Sequence, residues 1–332
     1  MSITNTIVTL AARPEGMAKE SDFKMIQKKV APLEEGSILI KVELLSLDPA
    51  IRGWMNKGTT YIKGVELGTV MRTFAAGQVI ESKNPAYEVG EYVYGLLGAQ
   101  AYAISDGQGL TKCDISKGQL SWHAGILGMP GMTAFFGLLE KGKPNHGDTV
   151  FVSGAAGIVG STVGQIAKLK GCNVIGTAGS DEKCAYLINE CNFDAAINYK
   201  SQDISTELRK HALDGIDVFY DNVGGPLLDT AMLHLARGSR IVICGAISQY
   251  NNNPIYGPSN YMKIVTARGT LQGIIVFDYI DQYPRAVDEI SRWLKSGQIK
   301  TKEHYVNGLE NFASAVKMLF TGDNFGKLLL KV

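Results

Sequence analysis

Up to about Trp122, short apolar runs alternate with Gly and Pro punctuation. Residues 38–47, 78–82 and 92–97 are examples, and their spacing predicts an all-β, barrel-like unit. After about Ala124 the pattern changes to strand–helix alternation. Apolar strands are predicted at 149–153, 173–177, 195–199, 218–221 and 240–244. Between them, helical spacing runs over 161–170, 182–192, 204–212 and 227–235. That alternation points to an α/β region built on a doubly wound parallel sheet. The most polar stretch, 248–260, carries Asn251-Asn252-Asn253-Pro254 and Gly257-Pro258 and reads as a mobile loop. The chain has no internal repeat and no low-complexity segment.

A length of 332 residues suits about two domains. The composition, 45% hydrophobic and 20% charged, is that of an ordinary globular chain. With 33 basic and 32 acidic side chains, it has no excess for a phosphate backbone, so nucleic acid is not an expected partner. Lys28-Lys29 is an isolated pair that suits a solvated turn. Residues 1–13 lack the basic and apolar regions of a secretory signal. The longest apolar stretch, 124–139, is broken by Gly125, Gly128, Pro130 and Gly131, so no membrane association is expected and a cytoplasmic location is the default.

The five cysteines, Cys113, Cys172, Cys184, Cys191 and Cys244, are odd in number and form no CxxC, which argues against disulfides and against a structural zinc lobe. The five histidines are scattered, and a lone His is more often a packed or surface residue than a ligand. No metal ligands are expected.

The sharpest motif is Ser153-Gly154-Ala155-Ala156-Gly157-Ile158-Val159-Gly160, after a predicted strand and before a helix starting at Ser161. Glycines there permit a tight turn and close backbone approach to a pyrophosphate, which free N–H groups and the helix dipole then face. A tight turn with close helix packing is the structural alternative. A second strand about twenty residues on favours dinucleotide binding. That strand ends in Gly176-Thr177-Ala178-Gly179-Ser180, without the Asp or Glu that would hold a ribose 2′-OH. Asp181 and Glu182 come later, where a helix dipole favours acids. Small residues leave room for a 2′-phosphate that Lys183 would meet, although Lys183 also suits a solvated helix position. NADP is preferred over NAD, with both open.

Several segments together resemble the zinc-independent branch of the medium-chain dehydrogenase/reductases. The resemblance is to its prostaglandin reductase, leukotriene B4 dehydrogenase, alkenal double-bond reductase and curcumin reductase group. The segments are 47–53 (Leu-Asp-Pro-Ala-Ile-Arg-Gly), 65–71 (Val-Glu-Leu-Gly-Thr-Val-Met), 127–134, 153–160 and 179–183, then 198–200, 221–225 (Asp-Asn-Val-Gly-Gly), 244–250 and 322–327. They keep the family's order from near residue 38 to the C-terminus. The resemblance implies a GroES-like β-barrel catalytic domain over 1–126 and a Rossmann NADP-binding domain over 127–297. A segment 298–332 would return to the catalytic domain. It also implies an active site in the cleft between the domains and a homodimer.

For the cofactor, the resemblance implies that Gly154, Ala156, Gly157, Ile158, Val159 and Gly160 line the pyrophosphate. Gly179, Ser180, Lys183 and Tyr199 would surround the adenosine 2′-phosphate. Met129, Thr133, Asn222, Cys244, Gly245, Ala246, Ile247, Ser248, Tyr250, Ile274, Ile275, Val276 and Asn324 would lie near the nicotinamide half. Asn222 and Asn324 also suit turn positions, and Thr133 an ordinary helix hydroxyl. Where zinc-dependent cousins carry Gly-His-Glu, this chain has Glu66-Leu67-Gly68, and their Cys and His ligands are missing. Without a Lewis acid, hydride must go to an acceptor that is already electrophilic, such as an α,β-unsaturated ketone or aldehyde. The protein then adds positioning and a donor near the developing oxyanion, for which Tyr250 and Tyr61 are the candidates. Either also suits pocket lining.

Ala50 and Ile51 replace the Tyr and Met of the family's Asp-Pro-Tyr-Met-Arg-Gly, which implies a wider pocket. Thr266 stands where plant members carry a proton-donating tyrosine, and Arg52 suits holding a barrel loop by an ion pair. A quinone reductase with the same cofactor is the alternative activity, and an NADPH-binding protein with little turnover is the second.

Overall fold

The computed structural model describes residues 3–332. They form two compact units, one of residues up to Gly128 together with Glu303–Val332, the other Met129–Lys302. Among the described residues no helix is long and apolar enough to cross a membrane.

In the first unit, β1 (Thr4–Leu10) pairs antiparallel with β2 (Phe23–Lys29). The main sheet is centred on β3 (Ile38–Ser46), whose Ile38, Ile40, Val42 and Leu45 are buried. A short helix, α1 (Ala50–Trp54), follows. Then come β4 (Phe74–Ser82), β5 (Tyr92–Gly95), β6 (Tyr102–Ser105), β7 (Thr111–Lys112) and a helical turn, α2 (Leu120–His123). Strand β3 pairs antiparallel with both β4 and β6, and β5 joins β4 to β7. Gly77 of β4 faces a bulge in β3, where an added Cβ would lie 2.3 Å from the Lys41 carbonyl. The Arg52 guanidinium is buried and donates to the carbonyls of Pro14 and Gly16 and to Asn56 Oδ1. It thus holds the 14–16 loop through main-chain carbonyls, with Asp22 supplying a nearby negative charge.

The second unit opens with α3 (Met129–Phe136), which runs into a π-helical turn, Gly137–Gly142. The glycines and Pro130 of this stretch read as breaks. Pro130 is only the second residue of α3, where no main-chain N–H is needed. Strand–helix alternation follows with β8 (Thr149–Val152), α4 (Ile158–Leu169), β9 (Asn173–Ala178), α5 (Asp181–Asn189), β10 (Ala195–Asn198) and α6 (Ile204–His211). It continues with β11 (Ile216–Asp221), α7 (Gly225–Met232), β12 (Leu235–Ile243), α8 (Lys263–Ala267), β13 (Thr270–Gly273) and α9 (Tyr283–Lys295).

The strands form one parallel sheet in the order β10-β9-β8-β11-β12-β13. This is the doubly wound arrangement that the alternation predicts. Ile175, Phe151, Phe219 and Ile241 lie in register across four neighbouring strands and are fully buried. Burying each such side chain contributes about 1.5–3 kcal/mol. Helix α4 starts at Ile158, three residues before the expected Ser161, and Leu235 begins a strand rather than ending a helix.

The chain then returns to the first unit through β14 (Glu303–Asn307), α10 (Phe312–Thr321) and β15 (Lys327–Lys331). Strand β15 pairs antiparallel with β3 and parallel with β14. Phe312 meets Phe23 edge-on at 5.3 Å.

Candidate cofactor and active site

In an open parallel sheet, ligands bind beyond the carboxyl ends of the strands, at the point where strand order reverses. Here β8 is the centre, with β9 and β10 on one side and β11 to β13 on the other. Almost every cofactor residue expected in this unit follows the carboxyl end of a strand. Residues 153–160 follow β8, 179–183 follow β9, Tyr199 follows β10, Asn222 follows β11, 244–250 follow β12 and 274–276 follow β13. Met129 and Thr133 are the exceptions, on α3.

The glycine turn works residue by residue. Gly154 adopts φ +59°, a left-handed conformation that costs a side chain free energy. Gly157 caps α4 with extended backbone and no side-chain cap, so the first N–H groups of the helix, from Ile158 and Val159, have no side-chain acceptor. At Gly160 a Cβ would lie 2.6 Å from the Gly154 carbonyl oxygen. The turn is seated on β9, where the Ala155 N–H donates to the Thr177 carbonyl (2.8 Å) and the Gly154 N–H to Thr177 Oγ1 (3.2 Å). This cradle fits a pyrophosphate.

At the ends of β9 and β10, Gly179, Ser180, Lys183 and Tyr199 come together. A Cβ on Gly179 would meet the Tyr199 hydroxyl at 2.8 Å. Ser180 caps α5 by accepting the Lys183 N–H. The nearest acid, Asp181, is turned to Asn198, whose amide donates to it at 2.7 Å. No carboxylate therefore occupies the strand tip, and a half-buried lysine and a half-exposed phenol flank it. That donor set suits a phosphate.

Across the reversal point, the Asn222 side-chain amide donates to the Ser153 carbonyl and its N–H to Ser153 Oγ, both at 2.8 Å. The buried Asp221 carboxylate accepts from Ser153 Oγ (2.7 Å), Val223 N–H (2.9 Å) and Gly224 N–H (3.0 Å). Burial pushes its pKa up and these donors oppose the rise. The Ile247 N–H donates to the Asn222 carbonyl and Ser248 Oγ to the Val223 carbonyl, which docks the 244–250 loop on the β11 end. Gly245 and Ala246 lie against the Tyr250 phenol, whose oxygen accepts the Ala246 N–H at 3.3 Å. The Cys244 thiol instead points into the core, and burial pushes its pKa up to about 12. Ile274 and Val276 are buried and Ile275 is partly exposed. Thr133 is buried, and its hydroxyl donates to the Met129 carbonyl at 2.8 Å.

Tyr61 and Asn324 belong to the first unit. The Tyr61 phenol is half-exposed and accepts the Trp54 indole N–H at 3.0 Å, with its pKa raised by burial. Asn324 donates to the Gly326 carbonyl at 3.3 Å. Where zinc-dependent cousins carry Gly-His-Glu, Glu66 pairs with Lys63 at 2.9 Å on the surface. Among the described residues no three His, Cys, Asp or Glu side chains gather as a metal-ligand group.

Four groups escaped residue-by-residue reading: Asp221, Tyr220, Asp229 and Lys327. Asp229 of α7 accepts from the Tyr256 and Ser259 hydroxyls and the Ser259 and Asn260 N–H groups, so the 248–260 stretch, expected to be mobile, is fastened. Lys327 is fully buried and donates to the Leu47 carbonyl (2.8 Å) and Asp48 (2.7 Å). Only Asp221 and Lys327 carried a signal, as parts of the recurring segments 221–225 and 322–327.

Two family models match the chain, one described as the N-terminal domain of oxidoreductase over residues 7–113, the other as zinc-binding dehydrogenase over 159–292. NADPH-dependent curcumin reductase of Escherichia coli is 38% identical over 97% of this chain and 95% of its own. The chain belongs to the medium-chain dehydrogenase/reductase family. Within it, the NADP(+)-dependent 2-alkenal reductase of Nicotiana tabacum is 38% identical over 99% of this chain and 98% of its own. The crystal structure of CurA from Vibrio vulnificus in complex with NADPH superposes with a TM-score of 0.93 at 40% identity, covering 98% of this chain and 99% of that one. The two units of this family member are accordingly a GroES-like domain and a Rossmann domain.

Proposed function

We propose that the protein is an NADPH-dependent, zinc-independent reductase of the carbon–carbon double bond of α,β-unsaturated ketones and aldehydes. The observation that carries the reading is the strand-end constellation itself. A glycine cradle without a side-chain cap lies beside a carboxylate-free strand tip flanked by Lys183 and Tyr199. The curcumin and 2-alkenal reductases similar to this chain support the substrate class.

NADPH, when bound, supplies the hydride for the electrophilic β-carbon. The chain's own residues bind and orient. The N–H groups of Ile158 and Val159 would hold the pyrophosphate, with Gly157 lining it, and Lys183 and Tyr199 would hold the 2′-phosphate. Asn222, tied to Ser153, and the 244–250 loop fix the nicotinamide half. Tyr250 is the proposed donor to the developing oxyanion, because its phenol lies against Gly245 and Ala246 in the loop assigned to the nicotinamide half. Tyr61 is the second candidate.

Initial rates of NADPH oxidation with an enone and with a naphthoquinone test the substrate class. Faster turnover of the quinone would overturn it. Tyr250→Phe and Tyr61→Phe, compared in kcat, decide between the donors. Zinc independence rests on the missing Cys and His ligands, and predicts activity unchanged by a chelator.

A homodimer is supported by β13. Among the described residues it pairs only with β12, and Leu271, Tyr261, Met262 and Val265 on or before it expose large apolar side chains. A monomer mass by light scattering would refute it. Free thiols at all five cysteines support a cytoplasmic location.

A further inference from the structure

The Tyr220 hydroxyl is a fully buried polar group that the cofactor reading above leaves without a role. Tyr220 lies in β11, two residues before Asn222, with no exposed surface. Its hydroxyl donates to the Thr133 carbonyl in α3 at 2.8 Å. The Cys244 thiol, at the start of the 244–250 loop, is buried and interacts electrostatically with the same phenol. Space for the oxygen comes from Gly137, at the start of the π-helical turn, where a Cβ would lie 2.3 Å from it. A π-turn is rare and is often found at functional sites.

Three segments that start far apart in sequence thus meet at one phenol. These are α3, carrying Met129 and Thr133; the end of β11, carrying Asn222; and the loop that begins at Cys244. They are the segments assigned above to the nicotinamide half. None of them carries Gly179, Ser180, Lys183 or Tyr199, assigned to the adenosine half.

We propose that the Tyr220 hydroxyl is a positioning group for the nicotinamide half of the bound cofactor. It would act by holding Thr133 and α3 in register with Asn222, and would have no part in adenosine binding. The inference rests on the NADPH reading.

The test uses Tyr220→Phe, which keeps the ring and its packing and removes only the oxygen. NADPH and 2′,5′-ADP, a probe of the adenosine half alone, are titrated on wild type and variant by calorimetry. A partly unfolded sample weakens both ligands by the same factor, so the ratio of their dissociation constants reads the positioning effect even if stability falls. The expected result is NADPH binding about tenfold weaker, the scale of one buried hydrogen bond, with 2′,5′-ADP unchanged. Equal weakening of the two ligands, or no change in either, would overturn the proposal. Failure of wild type to bind either ligand would overturn the NADPH reading together with it, a result distinct from the other two.

Discussion

The 248–260 stretch is rich in Asn, Gly and Pro, yet one carboxylate holds it. Asp229 is 6% exposed and receives the Tyr256 hydroxyl at 2.6 Å, the Ser259 hydroxyl at 2.8 Å, the Ser259 N–H at 3.1 Å and the Asn260 N–H at 2.8 Å. Burial pushes its pKa up, but the four donors outweigh burial and hold it at about 2, against an ordinary 3.8. A carboxyl held that far down contributes about 2 kcal/mol at neutral pH. Its folded value is below its unfolded one. The contribution is therefore complete above the unfolded value and is lost as pH falls through the folded one.

Asp229→Asn keeps the shape but removes the charge and replaces one acceptor oxygen with a donor. The two hydroxyls can turn to accept, whereas an N–H facing the new amide group cannot. A loss of about 2 kcal/mol corresponds to roughly thirtyfold more frequent local opening. Hydrogen exchange at the Ser259 and Asn260 amides reads this directly, and the parallel sheet serves as an internal control. The stability difference between wild type and variant should also narrow as pH falls from about 5 to about 2. Unchanged exchange at both amides would refute the reasoning and leave the loop held by Gln249, which accepts the Tyr256 N–H, and by packing.

Three further perturbations probe other parts of the structure. Lys183→Ala should weaken NADPH binding about tenfold or more while leaving NADH binding nearly unchanged, read by fluorescence titration; equal effects would remove its phosphate role. Gly160→Ala adds a methyl group 2.6 Å from the Gly154 carbonyl oxygen, and a shift of the glycine turn should weaken both NADPH and NADH; unaltered affinity for both would show that the turn tolerates the displacement. Lys327→Met leaves the Asp48 carboxylate buried with Ser46 but without its ammonium partner, and should cost about 3–5 kcal/mol of stability in denaturant unfolding. A cost below about 1 kcal/mol would mean that water or another donor replaces the lysine.

How much of this was legible in the sequence depended on the range of the interaction. The parallel sheet was visible because each strand is a short apolar run, and Phe151, Ile175, Phe219 and Ile241 follow from local period alone. The glycine turn was visible because Gly154, Gly157 and Gly160 serve one local backbone path. Helix α3 was hidden by Pro130 and Gly131, which signal breaks, although a proline in a first turn costs nothing. The start of α4 was displaced because Gly157, a cap with no side chain, gives a weaker boundary signal than Ser161.

The polar groups with the longest reach were invisible to local period, and Lys327 stood out only as part of a recurring segment. Lys327 reaches Asp48 across 279 positions and Tyr220 reaches Thr133 across 87, and no local pattern distinguishes them from a surface lysine or a core aromatic. Asp229 looks like any helix acid until its loop folds back on it. Each of these groups is buried, and each is hydrogen-bonded to a segment distant in sequence. A buried polar group without such partners costs about 1–3 kcal/mol. Each therefore ties the position of one segment to another, and the ties converge on the segments beside the strand ends and on the β3–β15 seam. Local period built the scaffold, and these ties fix what local period leaves open: α3 against β11, the 256–260 stretch against α7, and β15 against the end of β3.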